Sequence, residues 1–168
     1  MREIMKTVFT IIVLLVVSVI IYFFILGYVS QSKPAPNSKS DASATIAPGL
    51  SAGKLSFCSP KPNCVCSETG ERAEASITPL SVSDENMTNA LNKSKDVIIQ
   101  MGGSIVSATD EYISATFTSG LFRFVDDFEI RLDEQNKLIH IRSSSRVGHS
   151  DFGVNRKRVE EFKQFMMN

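Results

Sequence analysis

The sequence lacks most of what would name a reaction. It has two histidines, His140 and His149, and three cysteines, Cys58, Cys64 and Cys66. Three thiols with no histidine beside them make an incomplete metal-ligand set, so no metal site is assigned. No glycine-rich phosphate loop, catalytic triad or internal repeat can be read along the chain, and no motif asks for a cofactor. The charge lacks a sign as well, with 18 Lys and Arg against 18 Asp and Glu. A nucleic-acid partner would ask for a basic excess, and none is expected.

The most informative absence is local. Residues 8–29, VFTIIVLLVVSVIIYFFILGYV, carry no charge. At about 1.5 Å of rise per residue this run is about 33 Å long, enough to cross a hydrocarbon core of roughly 30 Å. A cleavable signal peptide has an apolar region of only about 7 to 15 residues followed by a small-residue cleavage site. The expectation is therefore a retained transmembrane helix over residues 8–29, acting as a signal-anchor. In the flank 1–7, Arg2 and Lys6 outnumber Glu3. The positive-inside rule then leaves that flank in the cytoplasm, although Lys33 and Lys39 reduce the contrast. The predicted location is the cytoplasmic (inner) membrane, single-pass, with the C-terminal domain in the periplasm or extracytoplasmic space. Setting residues 1–29 aside leaves 16 basic and 17 acidic residues, so the exported part is near neutral.

Residues 30–54 are rich in Ser, Ala, Pro and Gly and hold few large apolar side chains, which predicts a flexible linker. Residues 55–168 have the size of one domain. Within it, SDENMTNALNKSKDVIIQMGG predicts a helix. Met87, Ala90, Leu91, Ser94, Ile98 and Met101 share one face, Ser83 is the cap and Gly102 the stop. Four strands follow, SIVSAT, YISATFT, LFRFVDDFEIRL and LIHIRSSSRV, with short connections that favour antiparallel pairing. A final helix from about Arg156 carries Val159, Phe162 and Met166 as its apolar stripe. The fold class is α+β, an antiparallel sheet of four to five strands with two helices on one face.

The third and fourth strands alternate clearly enough to set a register. Matching their apolar faces puts Leu132 opposite Ile139, Ile130 opposite Ile141, Phe128 opposite Ser143 and Asp126 opposite Ser145. Phe122 and Phe124 continue the same buried face. Asp126 thus points toward the core and needs a donor or a proton, unless a β-bulge at Asp126-Asp127 turns one of them outward. On the other face Glu129 pairs with Arg142, Arg131 lies beside His140, and Arg146 is within diagonal reach of Asp127. That face reads as solvated and charged.

The cysteines sit in FCSPKPNCVCS. In an oxidising compartment a disulfide is the default, and Cys58 to Cys64 is the expected pair, with Pro60 and Pro62 shaping the loop and Cys66 left over. A thiol nucleophile would have only His140 or His149 as a base.

Three blocks, CSPKPNCVCS, RFVDDFEIRLD and IRSSSRVGHSDFGVNRKRVE, resemble the signature of the domain of unknown function 1499 family, known from bacterial envelope proteins and plastids. The resemblance spans about residues 50–165 in order. It implies a small domain, often membrane-attached, with no established activity. The pattern falls on Cys58, Pro62, Asn63 and Cys64, on Arg123, Phe124, Asp126 and Asp127, and on Arg142, Ser143, Ser145, Arg146, Gly148, Ser150, Asp151, Gly153, Asn155 and Arg156. Cys66 stands where that family usually has Ser, and His149 where it has Tyr, so neither belongs to a shared mechanism.

If Asn155 caps the last helix, Arg156, Lys157 and Arg158 occupy its first turn, where cations oppose the helix dipole. Either carboxylates at Asp126, Asp127 or Asp151 offset them, locking hairpin to helix, or an anion does. The functional expectation is a membrane-anchored binding or interaction module with a small anion-binding pocket. Its residues would be Asp126, Arg142, Ser143, Ser145, Arg146, Asp151, Asn155 and Arg156, and its ligand an anionic small molecule, a lipid headgroup or an envelope protein. The alternatives are an envelope hydrolase using Asp126 or Asp151 with Ser or Cys64, and a structural accessory subunit of a membrane complex. No catalytic residue is assigned.

Overall fold

The computed structural model describes residues 1–32 and 49–168. The chain opens with α1, Arg2–Ser32, a single helix of 31 residues that is long and apolar enough to cross a membrane. It outruns the expected span of 8–29 at both ends, because nothing in its flanks breaks a helix. Most of the predicted linker, residues 33–48, lies outside the described residues. Its last part is structured: β1 (Leu50–Ser51) and β2 (Lys54–Leu55) form a small hairpin.

The domain is an antiparallel sheet with helices on one face, as expected, but the sheet has six strands. They are β3 (Cys64–Cys66), β4 (Leu80–Ser81), β5 (Ser104–Ala108), β6 (Tyr112–Thr118), β7 (Val125–Asp133) and β8 (Leu138–Ser145). The order is β3-β8-β7-β6-β5, and β4 pairs with β8 as well. The two strands missed by sequence reading are three and two residues long, too short to show an alternation. The register of β7 and β8 is the one that their alternation dictates, with Leu132 on Ile139, Ile130 on Ile141, Phe128 on Ser143 and Asp126 on Ser145. No bulge interrupts it at Asp126-Asp127.

The first predicted helix is broken in two, α2 (Asp84–Met87) and α3 (Ala90–Gln100), and Ser83 holds the cap position without a side-chain cap bond. Gly102, at φ 84°, ends the segment as expected. The last helix, α4, runs Val154–Met167. The stripes of α3 and α4 close over one sheet face, where Leu91, Ile98, Val159 and Phe162 meet Ile113, Phe128, Ile130, Ile139 and Ile141. A fully buried apolar side chain of this kind stabilises a fold by about 1.5–3 kcal/mol before chain entropy is counted.

Phe122 and Phe124 do not belong to the strand. They lie in the loop between β6 and β7, and their rings stack on α1. The Phe122 centroid is 5.2 Å from that of Phe23 and 5.4 Å from that of Phe24, and Phe124 is 6.5 Å from Phe23. Gly27 allows the approach, since a Cβ there would overlap the Phe122 carbonyl. Ser30 completes the joint: its hydroxyl accepts from the Val125 amide at 2.9 Å, and the residue is fully buried. The alternation of Phe122 and Phe124 was real, but its partner is the membrane-type helix and not the core.

Candidate functional site

The start of α4 and the end of the β7–β8 hairpin do converge. Asp126 faces the helix side of the sheet and accepts from Arg158 at 2.7 Å. Arg158 also donates to Asn155 at 2.7 Å and to Ser143 at 3.1 Å, and its guanidinium lies 4.7 Å from the Phe117 ring centroid. Asn155 is the hub. Fully buried, it accepts from the Ser143 hydroxyl at 2.6 Å and donates to Ser145 and to the Asn63 carbonyl, each at 3.0 Å. A buried amide with its oxygen and nitrogen both engaged is a satisfied one, and such networks hold one geometry.

Asn155 is therefore not the cap. Gly153, at φ 83°, occupies that position, and Asp151 accepts from the Gly153 and Asn155 amides at 3.0 and 2.8 Å. A carboxylate on the exposed amides of a helix start is the arrangement the dipole favours. Two of the three crowded cations turn to protein partners, Arg158 to Asp126 and Arg156 to the Glu74 and Ser76 carbonyls at 2.7 and 3.2 Å, and Lys157 is exposed to solvent. The missed member, Arg158, had a signal in its spacing, since three residues after Asn155 places it on the same helix face.

Arg142 and Arg146 are not part of this cluster. Both project from the opposite face of the sheet, which is buried and not solvated as its charges suggested. Glu129 and Arg142 are fully buried and pair at 2.7 Å, with the Tyr112 hydroxyl donating to Glu129 at 2.6 Å. Burial raises the Glu129 carboxyl above its usual range even with Arg142 opposing, and it raises the Tyr112 phenol too. Arg131 joins Glu68 at 2.8 Å and Asp133 at 3.4 Å, beside His140. Burial alone would raise Glu68, but the hydrogen bonds from Arg131 and the Leu55 amide hold it below the ordinary value. Arg146 grips the buried Asp127 at 2.7 Å. The cover comes from the β1–β2 hairpin and the segment after β3: the Gly49 amide donates to Glu129, and Leu55 packs on Cys66 and Tyr112.

Cys58 and Cys64 form the expected disulfide, with Cα atoms 5.6 Å apart. That removes Cys64 as the nucleophile of the hydrolase alternative. Cys66 is free but fully buried, and burial pushes its thiol up to about 11, so it is an inert side chain. Among the described residues no group of three or more His, Cys, Asp or Glu side chains could hold a metal ion. The concavity nearest the helix start, about 250 Å³, lies beside the disulfide and is bordered by Lys61, Arg72, Glu74, Asp151 and Arg156.

The model of a family described as protein of unknown function (DUF1499) matches residues 54–166, from the first residue of β2 into the last turn of α4. The chain belongs to the DUF1499 family. No curated protein matches it. The three blocks that carried the resemblance occupy, in the DUF1499 domain, the disulfide loop and β3, then β7 with the residues just before it, then β8 through the start of α4. Asn63, Asp126, Ser143, Ser145 and Asn155 come from all three blocks and meet in one network, so the blocks describe how the domain is tied together.

Proposed function

We propose that this chain is a single-pass membrane protein whose DUF1499 domain works as a binding or interaction module on the outer side of the cytoplasmic membrane. The observation that carries this reading is the seating of α1 on the domain through Gly27, Ser30 and the Phe23-Phe122 stack. A helix that merely tethered a globule would need no such joint. Two further features favour it: the apolar flank of α1 is left uncovered by the domain, and the Cys58–Cys64 disulfide suits an oxidising compartment. Substituted-cysteine labelling tests it. A Gln135→Cys variant in intact cells is expected to react with a membrane-impermeant maleimide, while native Cys66 stays silent. Reaction only after the inner membrane is breached would overturn the reading.

Of the residues expected to bind an anion, Asp151 and Arg156 border the concavity by the disulfide, together with Lys61, Arg72 and Glu74, and this gathering of three cations near the α4 start supports the reading there. Under this proposal inorganic phosphate or a phospholipid headgroup analogue binds there. Titration calorimetry should then lose its signal in the Lys61→Ala variant, and an absence of heat with the parent protein would remove the idea.

A further inference from the structure

We propose that the β6–β7 loop is a second membrane contact, in which Leu121 and Phe122 enter the apolar edge of the outer leaflet beside α1 and Arg123 reaches the lipid phosphates. The inference rests on the reading of α1 as a membrane span and adds how the domain sits on the bilayer.

Depth is the first argument. The charge-free run 8–29 is centred between Ser18 and Val19. Phe23 and Phe24 lie about 7 to 8 Å from that centre at about 1.5 Å per residue, well inside a half-core of about 15 Å. The Phe122 ring is in contact with both of theirs, so it shares their depth to within a ring's width. Sliding α1 outward to lift the loop clear would bring Phe23, Phe24 and Ile25 into water and draw Lys6 and Glu3 into the inner boundary. Both changes oppose the shift.

The loop is chemically suited to that depth. Leu121 at its tip is 68% exposed, a large apolar side chain turned mostly outward. The Ser119 amide donates to the Phe124 carbonyl at 2.8 Å, and the Phe124 amide donates to the Ser119 hydroxyl at 2.9 Å. These two bonds close the base of the loop and pair the Ser119 amide and both Phe124 backbone groups, which lowers the cost of bringing that end close to hydrocarbon. Arg123 is exposed at φ 59° on a long aliphatic stem, the kind of side chain that reaches up to phosphates while its neighbours stay in the apolar layer. The loop after β8 leaves from the same end of the sheet and carries Phe152, 97% exposed.

The chain has no tryptophan, so a single introduced one is the sole reporter. Full-length Val16→Trp, Leu121→Trp and Gln135→Trp would be reconstituted in vesicles of phosphatidylethanolamine and phosphatidylglycerol carrying brominated acyl chains. Val16 sits mid-span, and Gln135 is exposed in the turn at the far end of β7. Leu121 packs on little, so its variant should melt as the parent does. The expected result is blue-shifted emission and several-fold stronger bromine quenching for Leu121→Trp than for Gln135→Trp, with Val16→Trp quenched as well. If Val16→Trp is quenched but Leu121→Trp behaves like Gln135→Trp, the loop stays out of the lipid and the inference fails while the anchor stands. If Val16→Trp is not quenched, the membrane reading fails and takes this one with it.

Discussion

Replacing Arg142 with Met should be among the most damaging single changes in the domain. Arg142 and Glu129 are both fully buried, joined at 2.7 Å, and the Arg142 Nε has no partner among the described residues. Truncating the cation leaves a carboxylate in a low-dielectric layer with the Tyr112 hydroxyl and the Gly49 amide as its remaining donors. Breaking a buried pair in this way costs roughly 3–5 kcal/mol, against a whole-domain stability of about 5–15 kcal/mol. The melting temperature should fall by on the order of 10–20 °C. The loss should also depend on pH. Without Arg142 the folded-state affinity of Glu129 for a proton rises further. Its contribution is then fully present below the unfolded carboxylate value and is lost as pH rises through the higher folded one. Urea titrations of the full chain in detergent, followed by circular dichroism, should therefore show the Arg142→Met deficit shrinking in acid. Replacing all three groups, as Glu129→Leu, Arg142→Met and Tyr112→Phe, should recover most of the stability. A single Arg142→Met variant within about 1 kcal/mol of the parent would show that the pair behaves as a surface one and is not a buried ionic lock.

Further outcomes follow from the other networks. Asn155→Ala should cost about 2–4 kcal/mol in the same titration, since it strands Ser143, Ser145 and Arg158 around a buried void. Glu68→Gln should flatten the acid side of the stability profile. The depressed Glu68 carboxyl contributes above its unfolded value, and that contribution is lost as pH falls through the folded one. Serine at both Cys58 and Cys64 should cost about 2 kcal/mol for so short a loop, while Cys66 should resist thiol reagents until the domain unfolds.

How much of this was legible in the sequence depended on where the partner of each residue lay. The β7–β8 register was readable because Ile130, Leu132, Ile139 and Ile141 sit on adjacent strands and each strand announces its own apolar face. That Asp126 would meet the last helix followed from the same alternation. The burial of Glu129, Arg131 and Arg142 was not legible: period-two patterning says which side chains share a face, not what covers it. The cover here arrives from Gly49, Leu55 and Glu68, far off in sequence. Arg142 cannot share a pocket with Ser143, nor Arg146 with Ser145, because adjacent strand positions point to opposite faces. Phe122 and Phe124 kept the strand's period but spent it on α1. Gly27 and Ser30 gave a faint signal, two small residues at the end of an otherwise bulky apolar run.

Contact between α1 and the β6–β7 loop decides whether the domain is held against the helix or swings on a tether. A photoreactive benzoylphenylalanine at position 24, activated in native membranes and mapped by peptide mass spectrometry, measures the contact directly. The expected product is an intramolecular adduct to the segment 119–125, as the Phe24 and Phe122 rings are 5.4 Å apart. Adducts to lipid alone, with that segment unmodified, would contradict it.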